Sequence, residues 1–258
     1  MIVSLLPAAR EVLNRATVDG TVIRLPADKL DRSTYAAVDK VLVAMGGKWD
    51  RKKGGHSFAF DPTDKLAAAL ADGSVVSRQQ ALQHFDTPEA LAERLVAKLG
   101  VTPADYCLEP SAGRGRIVAA LAKRRPFDLI AIEIDADNGR ELQAQGLCTN
   151  LFIKDFLTCL VRELRDIPLT VVAMNPPFRG NQDIRHVRHA FDALSPGGRL
   201  GAIVSEHGFV AQEREAVEWR GWLEEHGADI EIIPAGAFKE SGTGVQTRMI
   251  VLRKAGAA

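Results

Sequence analysis

Short apolar runs recur along the later part of the chain, at residues 106–108, 129–132, 151–153, 170–174 and 200–204. Each is continuous rather than alternating, the pattern of strands buried on both faces. Between them lie stretches of helical spacing at 116–124, 137–145, 160–165 and 183–193, and an earlier helix over 88–99 carries Leu91, Leu95, Val96 and Leu99 as its apolar stripe. Strand and helix in alternation predict a mostly parallel sheet covered by helices on both sides. An amphipathic helix with Val217, Trp219, Trp222 and Leu223 then precedes two last strands, 230–233 and 247–252. Only residues 234–246 separate those strands, with no crossover helix, so they are expected to be antiparallel neighbours.

Residues 1–80 follow another plan and are expected to form a small accessory α+β module, with the main domain at 81–258. Residues 21–25 predict a strand, and 33–45 a helix with Tyr35, Val38, Leu42 and Met45 on one side and a stop at Gly46-Gly47. Residues 48–50 and 56–60 predict a hairpin turning at Lys53-Gly54-Gly55, followed by a second helix over about 62–71. The basic tip at Lys52 and Lys53 either meets a phosphate backbone or is a solvated turn of a packing domain. Phe85-Asp86-Thr87-Pro88 opens the main domain, with Thr87 placed to cap a helix whose first residue is Pro88.

Composition narrows the class. The chain has 258 residues, 46% of them hydrophobic, enough for one large α/β domain and a smaller appendage. Its 33 basic and 33 acidic residues cancel, so no global field steers it toward nucleic acid. The charge is uneven, however, with basic clusters at Lys48 to Lys53, Arg114 to Arg125 and Arg179 to Arg188. Cys107, Cys148 and Cys159 have neither metal-ligand spacing nor a disulfide framework. No signal segment opens the chain and no apolar run approaches the roughly 18 residues of a membrane helix, so a soluble cytoplasmic protein with no membrane partner is expected.

Two elements carry candidate chemistry. The run 169–174 ends in Asn175-Pro176-Pro177-Phe178, an amide, two rigid rings and an aromatic at the carboxyl end of a buried strand. The Asn175 side-chain oxygen and the Pro176 carbonyl can both accept from an exocyclic amine, the prolines reduce the ordering cost, and Phe178 can stack on a base. Upstream, residues 106–108 run into Glu109-Pro110-Ser111-Ala112-Gly113-Arg114-Gly115, a turn whose glycines admit a ligand to the backbone. Glu133 ends the next strand 20 residues after Gly113, where an acid can accept from both ribose hydroxyls. Val118 stands where a dinucleotide site needs a third glycine, which disfavours NAD.

The two elements together, in this order and spacing, resemble the S-adenosylmethionine-dependent amino methyltransferases, particularly the adenine-N6 DNA methyltransferases of bacteria and their phages and plasmids. The resemblance covers roughly residues 85–253. It implies a Rossmann-like class I methyltransferase fold, α/β, with a seven-stranded sheet whose last strand is antiparallel. It implies S-adenosyl-L-methionine as cofactor, held by Phe85, Thr87 and Pro88, by the turn from Glu109 through Pro110, Ser111, Ala112, Gly113 and Gly115, and by Glu133, Ile134, Asp155, Phe156 and Asn175. In that scheme Glu109 lies near the methionyl amino group, Glu133 binds the ribose, Asp155 accepts from the adenine amine, and Phe156 packs on that ring. Asn175, Pro176, Pro177 and Phe178 form the catalytic element. The order of the elements, cofactor first and substrate second, favours adenine N6. RNA amino groups or a protein glutamine are alternative substrates, although glutamine-directed members usually carry tyrosine at the position of Phe178; a non-catalytic binding protein on the same fold is a third reading.

Other residues are open to two readings. Arg179, Arg185 and Arg188 are phosphate contacts or a solvated helix face; Phe238 packs on substrate or buries itself under the last hairpin; His207 contacts the target or satisfies its own loop, with no acid partner apparent. A large target-recognition domain is missing from the pattern, so a solitary modification enzyme with short, relaxed or partner-supplied specificity is expected. A duplex target would have to be flipped out to reach so recessed a site.

Overall fold

The computed structural model describes residues 2–58, 60–76, 86–159, 167–234, 236–238 and 246–256. The chain divides into two compact units, residues 1–83 and 84–258.

In the first unit β1 (Ile2–Ser4) pairs antiparallel with β6 (Ser74–Val76). Between them come α1 (Pro7–Asn14), with proline in its first turn, β2 (Thr17–Asp19), β3 (Val22–Arg24), α2 (Arg32–Ala44), β4 (Lys48–Asp50), β5 (Gly55–Ser57) and α3 (Thr63–Asp72). The sheet order is β2-β3-β5-β4, which leaves β4 at an edge. Asp31 caps α2 by accepting from the Ser33 and Thr34 amides at 2.9 and 3.0 Å. Leu13, Ile23, Val38, Leu42 and Phe58 are buried together as this unit's own core. Gly47 is required there, because a Cβ would meet the Phe58 ring at 2.6 Å. The first 20 residues were without a predicted element. Their helix is only 8 residues long, too short for periodicity to declare it.

The second unit opens with α4 (Glu89–Leu99) and continues through β7 (Tyr106–Glu109), α5 (Arg116–Ala122), β8 (Asp128–Glu133), α6 (Ala136–Gln145), β9 (Asn150–Ile153), β10 (Val171–Met174), α7 (Gln182–Ala193), β11 (Arg199–Ser205), α8 (His207–Val210), α9 (Arg214–Glu225), β12 (Asp229–Ile233) and β13 (Thr247–Arg253). Seven strands form one sheet in the order β12-β13-β11-β10-β7-β8-β9. All are parallel except β13, which runs antiparallel to both β11 and β12, as the short connection between the last two strands required. The predicted helix at 160–165 lies outside the described residues.

Successive residues of the central strands enter two different cores. Leu108, Val172, Met174 and Val204 pack with α7 and α9, while Cys107, Val171, Ala173 and Ile203 pack with α4, α5 and α6. Burial on both faces is the reason these strands read as uninterrupted apolar runs. Burial also pushes the Cys107 thiol up to about 12, so it is an inert core residue.

At the amino end of the sheet, buried Asp105 gathers five donors. They are Arg199 Nη1 and Nη2 at 3.0 and 2.7 Å, the Thr102 amide and hydroxyl at 2.8 and 2.9 Å, and the Thr170 hydroxyl at 2.8 Å. Burial alone pushes its carboxyl upward, but these bonds outweigh it and hold the group well below the usual carboxylate range. A depressed carboxyl stabilises the fold above the unfolded value, about 3.9, and that contribution disappears as pH falls toward the folded value. Arg199→Ala should therefore cost about 3 kcal/mol in urea unfolding at pH 7. The difference from the unsubstituted protein should narrow in acid, once Asp105 of the variant takes up a proton while that of the unsubstituted protein stays ionised.

Candidate functional site

Order within the sheet decides where a ligand fits. From β7 the chain moves outward through β8 and β9, then returns to the other side for β10 and β11. This reversal makes the crevice between the carboxyl ends of β7 and β10 the topological switch point. The parallel register, Val171 with Cys107 and Val172 with Leu108, brings Glu109 and Asn175 to that same edge.

The turn after β7 is organised by two buried carboxyl groups. Glu133, at the end of β8, accepts from the Gly113 amide at 2.6 Å and from the Asp135 amide at 2.7 Å, so it orients the turn and the start of α6 together. Glu109 is 1% exposed and accepts from the Ser111 amide at 3.2 Å, whereas its other oxygen has no hydrogen-bond partner among the described residues. Burial, with the nearby Glu133 charge second among the upward influences, raises the Glu109 carboxyl well above its ordinary value. Pro110 and Ala112 are buried, and Ser111 and Gly113 are half-buried.

The two glycines do different things. Gly113 has φ of 55°, a conformation costly for other residues, and its amide is the one held by Glu133. Gly115 has φ of 83°, and a Cβ there would meet Leu142 at 2.6 Å and Gln145 at 3.0 Å. The Gly115 position thus admits α6 to the turn.

Ile134 follows Glu133 and is 52% exposed at the same edge. Asp155 accepts from the Leu157 amide at 2.9 Å and caps the single 3-10 turn Phe156–Thr158. Phe156 is buried against His186 and His189 of α7, with ring centroids at 5.6 and 4.8 Å, so it belongs to the core and offers no ring to an open pocket.

Asn175 is half-buried, and its amide nitrogen donates to the Thr87 hydroxyl at 3.0 Å across 88 residues of sequence. That bond ties the Asn175 side chain to the segment that leads into α4. It also corrects the reading of Thr87 as a helix cap. The N-cap of α4 is Pro88, whose carbonyl accepts from the Leu91 and Ala92 amides at 2.9 and 3.0 Å, and Thr87 is buried with its hydroxyl engaged by Asn175. Pro176 is buried, Pro177 and Phe178 are half-buried, and Phe178 packs on the core that contains Phe238. Phe238 is itself buried, in the core to which strand β13 of the last hairpin contributes. Phe85 and residues 239–245 lie outside the described residues.

Beyond Phe178 the chain makes a short 3-10 turn, Arg179–Asn181, with Gly180 and Asn181 both in the left-handed region. Asn181 donates to Glu215 at 2.8 Å and to Glu213 at 3.4 Å, and His207 Nε2 lies 2.6 Å from Glu213. His207 therefore has an acid partner that its sequence neighbourhood did not reveal. Asp183, at the start of α7, accepts from both the amide and the hydroxyl of Ser205 at 2.8 Å and so ties α7 to the end of β11. Arg188 donates to the Glu218 carbonyl at 3.2 Å with its guanidinium 5.6 Å from the Trp222 ring, a packing role. Arg185 bonds the Gly180 carbonyl and Arg179 is exposed. Lys52 and Lys53 stand on the hairpin of the first unit, both exposed. Among the described residues no cluster of side chains could hold a metal ion, and no helix is long and apolar enough to cross a membrane.

No family model matches the sequence, and no curated protein is significantly similar to it. Solved structures are similar in fold. One is described as a modification subunit of a type I restriction enzyme from Vibrio vulnificus YJ016, with a TM-score of 0.57 at 15% identity over 86% of this chain and 53% of that one. The M protein of the type I restriction enzyme EcoKI matches with a TM-score of 0.55 at 18% identity, over 88% and 55% of the two chains. The type IIG restriction endonuclease BpuSI matches at 0.53 and 16% identity, over 76% and 30%. The chain spans about half the length of the first two. Its fold is the Rossmann-like class I methyltransferase fold.

The Thr87–Asn175 bond is testable as structure. Thr87→Val keeps the shape but removes the partner from the half-buried Asn175 amide, and should cost about 1–2 kcal/mol in urea unfolding. Thr87→Ser should restore most of the loss.

Proposed function

We propose that this chain transfers a methyl group from S-adenosyl-L-methionine to the exocyclic N6 amine of adenine in DNA. The observation that carries the reading is the placement of Asn175-Pro176-Pro177-Phe178 beside the Glu109 turn at the switch point of a methyltransferase fold. The unpartnered, buried Glu109 oxygen suits a cationic amino group, which would favour the ionised carboxyl that burial otherwise disfavours. Glu133 stands at the end of β8 with its oxygens anchored by two amides, Asp155 offers a carboxylate after the next strand, and Ile134 presents an exposed apolar side chain. These are the groups that would hold the cofactor.

The cofactor supplies an electrophilic sulfonium methyl when bound. The chain's own part is to position the amine. Asn175 and the Pro176 carbonyl accept from its hydrogens, so the nitrogen lone pair is drawn out of conjugation and held in one direction. Thr87 fixes the Asn175 amide before substrate arrives, and the two prolines hold the carbonyl. Phe178 provides an aromatic surface for the base. A DNA substrate is supported by the modification and restriction proteins that share the fold. Adenine N6 is supported by the order of the two motifs. The first unit is proposed as an accessory nucleic-acid-binding module.

Asn175→Ala should lower the single-turnover rate of methyl transfer at least about 100-fold while leaving cofactor affinity nearly unchanged. Glu133→Ala should do the reverse, weakening cofactor binding in titration calorimetry. The decisive measurement is incubation with methyl-labelled cofactor and separate DNA, RNA and protein pools, followed by mass spectrometry of the labelled digest. N6-methyladenine from the DNA pool is the expected product. Label on cytosine N4, on RNA or on glutamine would reject the substrate assignment, and absence of label in every pool would reject the reading.

A further inference from the structure

The first unit carries a surface that the methyl-transfer reading leaves unused. Of the three tryptophans, Trp219 is buried in the second unit and Trp222 is half-buried there, but Trp49 on the edge strand β4 is 51% exposed. Leaving that much indole in water forfeits much of the gain its burial would bring. The ring is nonetheless held in place. Trp49 pairs across the hairpin with His56, the rings meeting edge to face at 5.4 Å and 70°, and His56 is fully buried with Nε2 2.9 Å from Asp39 of α2.

The turn that follows Trp49 is basic. Lys48 precedes the ring, and Arg51, Lys52 and Lys53 form the exposed turn that follows. The acid among them, Asp50, is occupied internally, since its carboxylate accepts from the Lys52 and Lys53 amides at 2.9 and 3.2 Å and fixes the turn. Lys53 donates to Ser57 at 3.2 Å, which keeps its ammonium on the hairpin. Tyr35, a second exposed aromatic, lies one turn before Asp39 on the same face of α2. The net charge of zero conceals a division, because residues 1–83 contain 12 basic and 9 acidic residues while residues 84–258 contain 21 and 24.

A preordered, half-exposed indole beside a basic turn matches the requirements of unpaired bases on a polyanion, where stacking accompanies phosphate contact. A paired duplex would offer the phosphates but keep its base faces covered. We propose that the β4–β5 hairpin binds single-stranded DNA, with a base stacked on Trp49 and the phosphates met by Arg51, Lys52 and Lys53. The choice of DNA rests on the function proposed above; the stacking argument does not.

The test uses the full chain and a fluorescein-labelled oligodeoxythymidine of about 16 nucleotides. Thymine has no exocyclic amine, so its binding is separate from methyl transfer and can fail or succeed whatever the acceptor proves to be. Trp49→Ala should weaken binding about tenfold or more, with Trp49→Phe retaining most of the affinity. The Trp49→Ala loss should leave the salt dependence unchanged, while Lys52→Ala with Lys53→Ala should flatten it. Affinity for a duplex of the same length should be insensitive to Trp49. Unchanged affinity of Trp49→Ala for the single strand, or equal losses on single strand and duplex, would overturn the stacking role. Tighter binding of oligouridine than of oligodeoxythymidine would overturn the assignment to DNA.

Discussion

The second unit depends on one constraint: with both faces of the sheet packed under helices, polar groups and a substrate can meet only where the strands end. Met174 and Leu108 belong to one core and Cys107 and Ala173 to the other, so no position within β7 or β10 is open to a ligand. One residue beyond β10, and at the last residue of β7, the chain changes character, and Asn175 and Glu109 appear. The reversal of strand order sends the connecting helices to opposite sides there, the place where open α/β sheets take their ligands. Chemistry is confined to the carboxyl edge because the interior accepts none.

Two hydrogen bonds make that edge a preorganised site. Gly113 to Glu133 joins the turns after β7 and β8, and Asn175 to Thr87 joins the end of β10 to the segment that leads into α4. Each connects a backbone or side-chain group to a partner on a different element, so its geometry is fixed by packing rather than by loop conformation. On the proposed function the consequence is direct. An amide that must accept from a base amine in one orientation is held by its other end before the base arrives, and the ordering cost falls on folding rather than on binding. Asp183 extends the same logic to the neighbouring strand, where it fixes the end of β11 through Ser205.

What could be read from the sequence divides along physical lines. The seven strands, their mostly parallel order and the terminal antiparallel pair were legible, because double-sided burial leaves continuous apolar runs and a 13-residue connection cannot contain a crossover. The positions of Glu109, Glu133 and Asn175 at strand ends were legible for the same reason. Partnerships between distant segments were not. Thr87 before Pro88 has the local form of a helix cap, and nothing nearby announces that its hydroxyl belongs to Asn175. His207 meets Glu213 only because α8 turns the chain back toward the start of α9. Nor does the turn's sequence announce that Leu142 and Gln145 occupy the space that the missing side chain of Gly115 leaves. Phe156 follows an edge acid, but the turn capped by Asp155 directs its ring inward to α7.

A buried oxygen without a partner separates the carboxyl at Glu109 from that of Glu133 beside it. Such an atom costs about 1–3 kcal/mol, and a fold retains it where something else depends on it. Glu133 is equally buried, but its two oxygens hold the amides of Gly113 and Asp135 and so serve the fold directly. Glu109 has the Ser111 amide on one oxygen only, and burial disfavours its charge. Structural economy alone would place a leucine or a glutamine there. A carboxyl that gains its full complement of interactions only when a cation approaches is a liability to the empty fold and an asset to the occupied one. Its place in the turn at the switch point, and not merely its burial, makes Glu109 the residue through which the fold of the second unit and the proposed cofactor constrain one another.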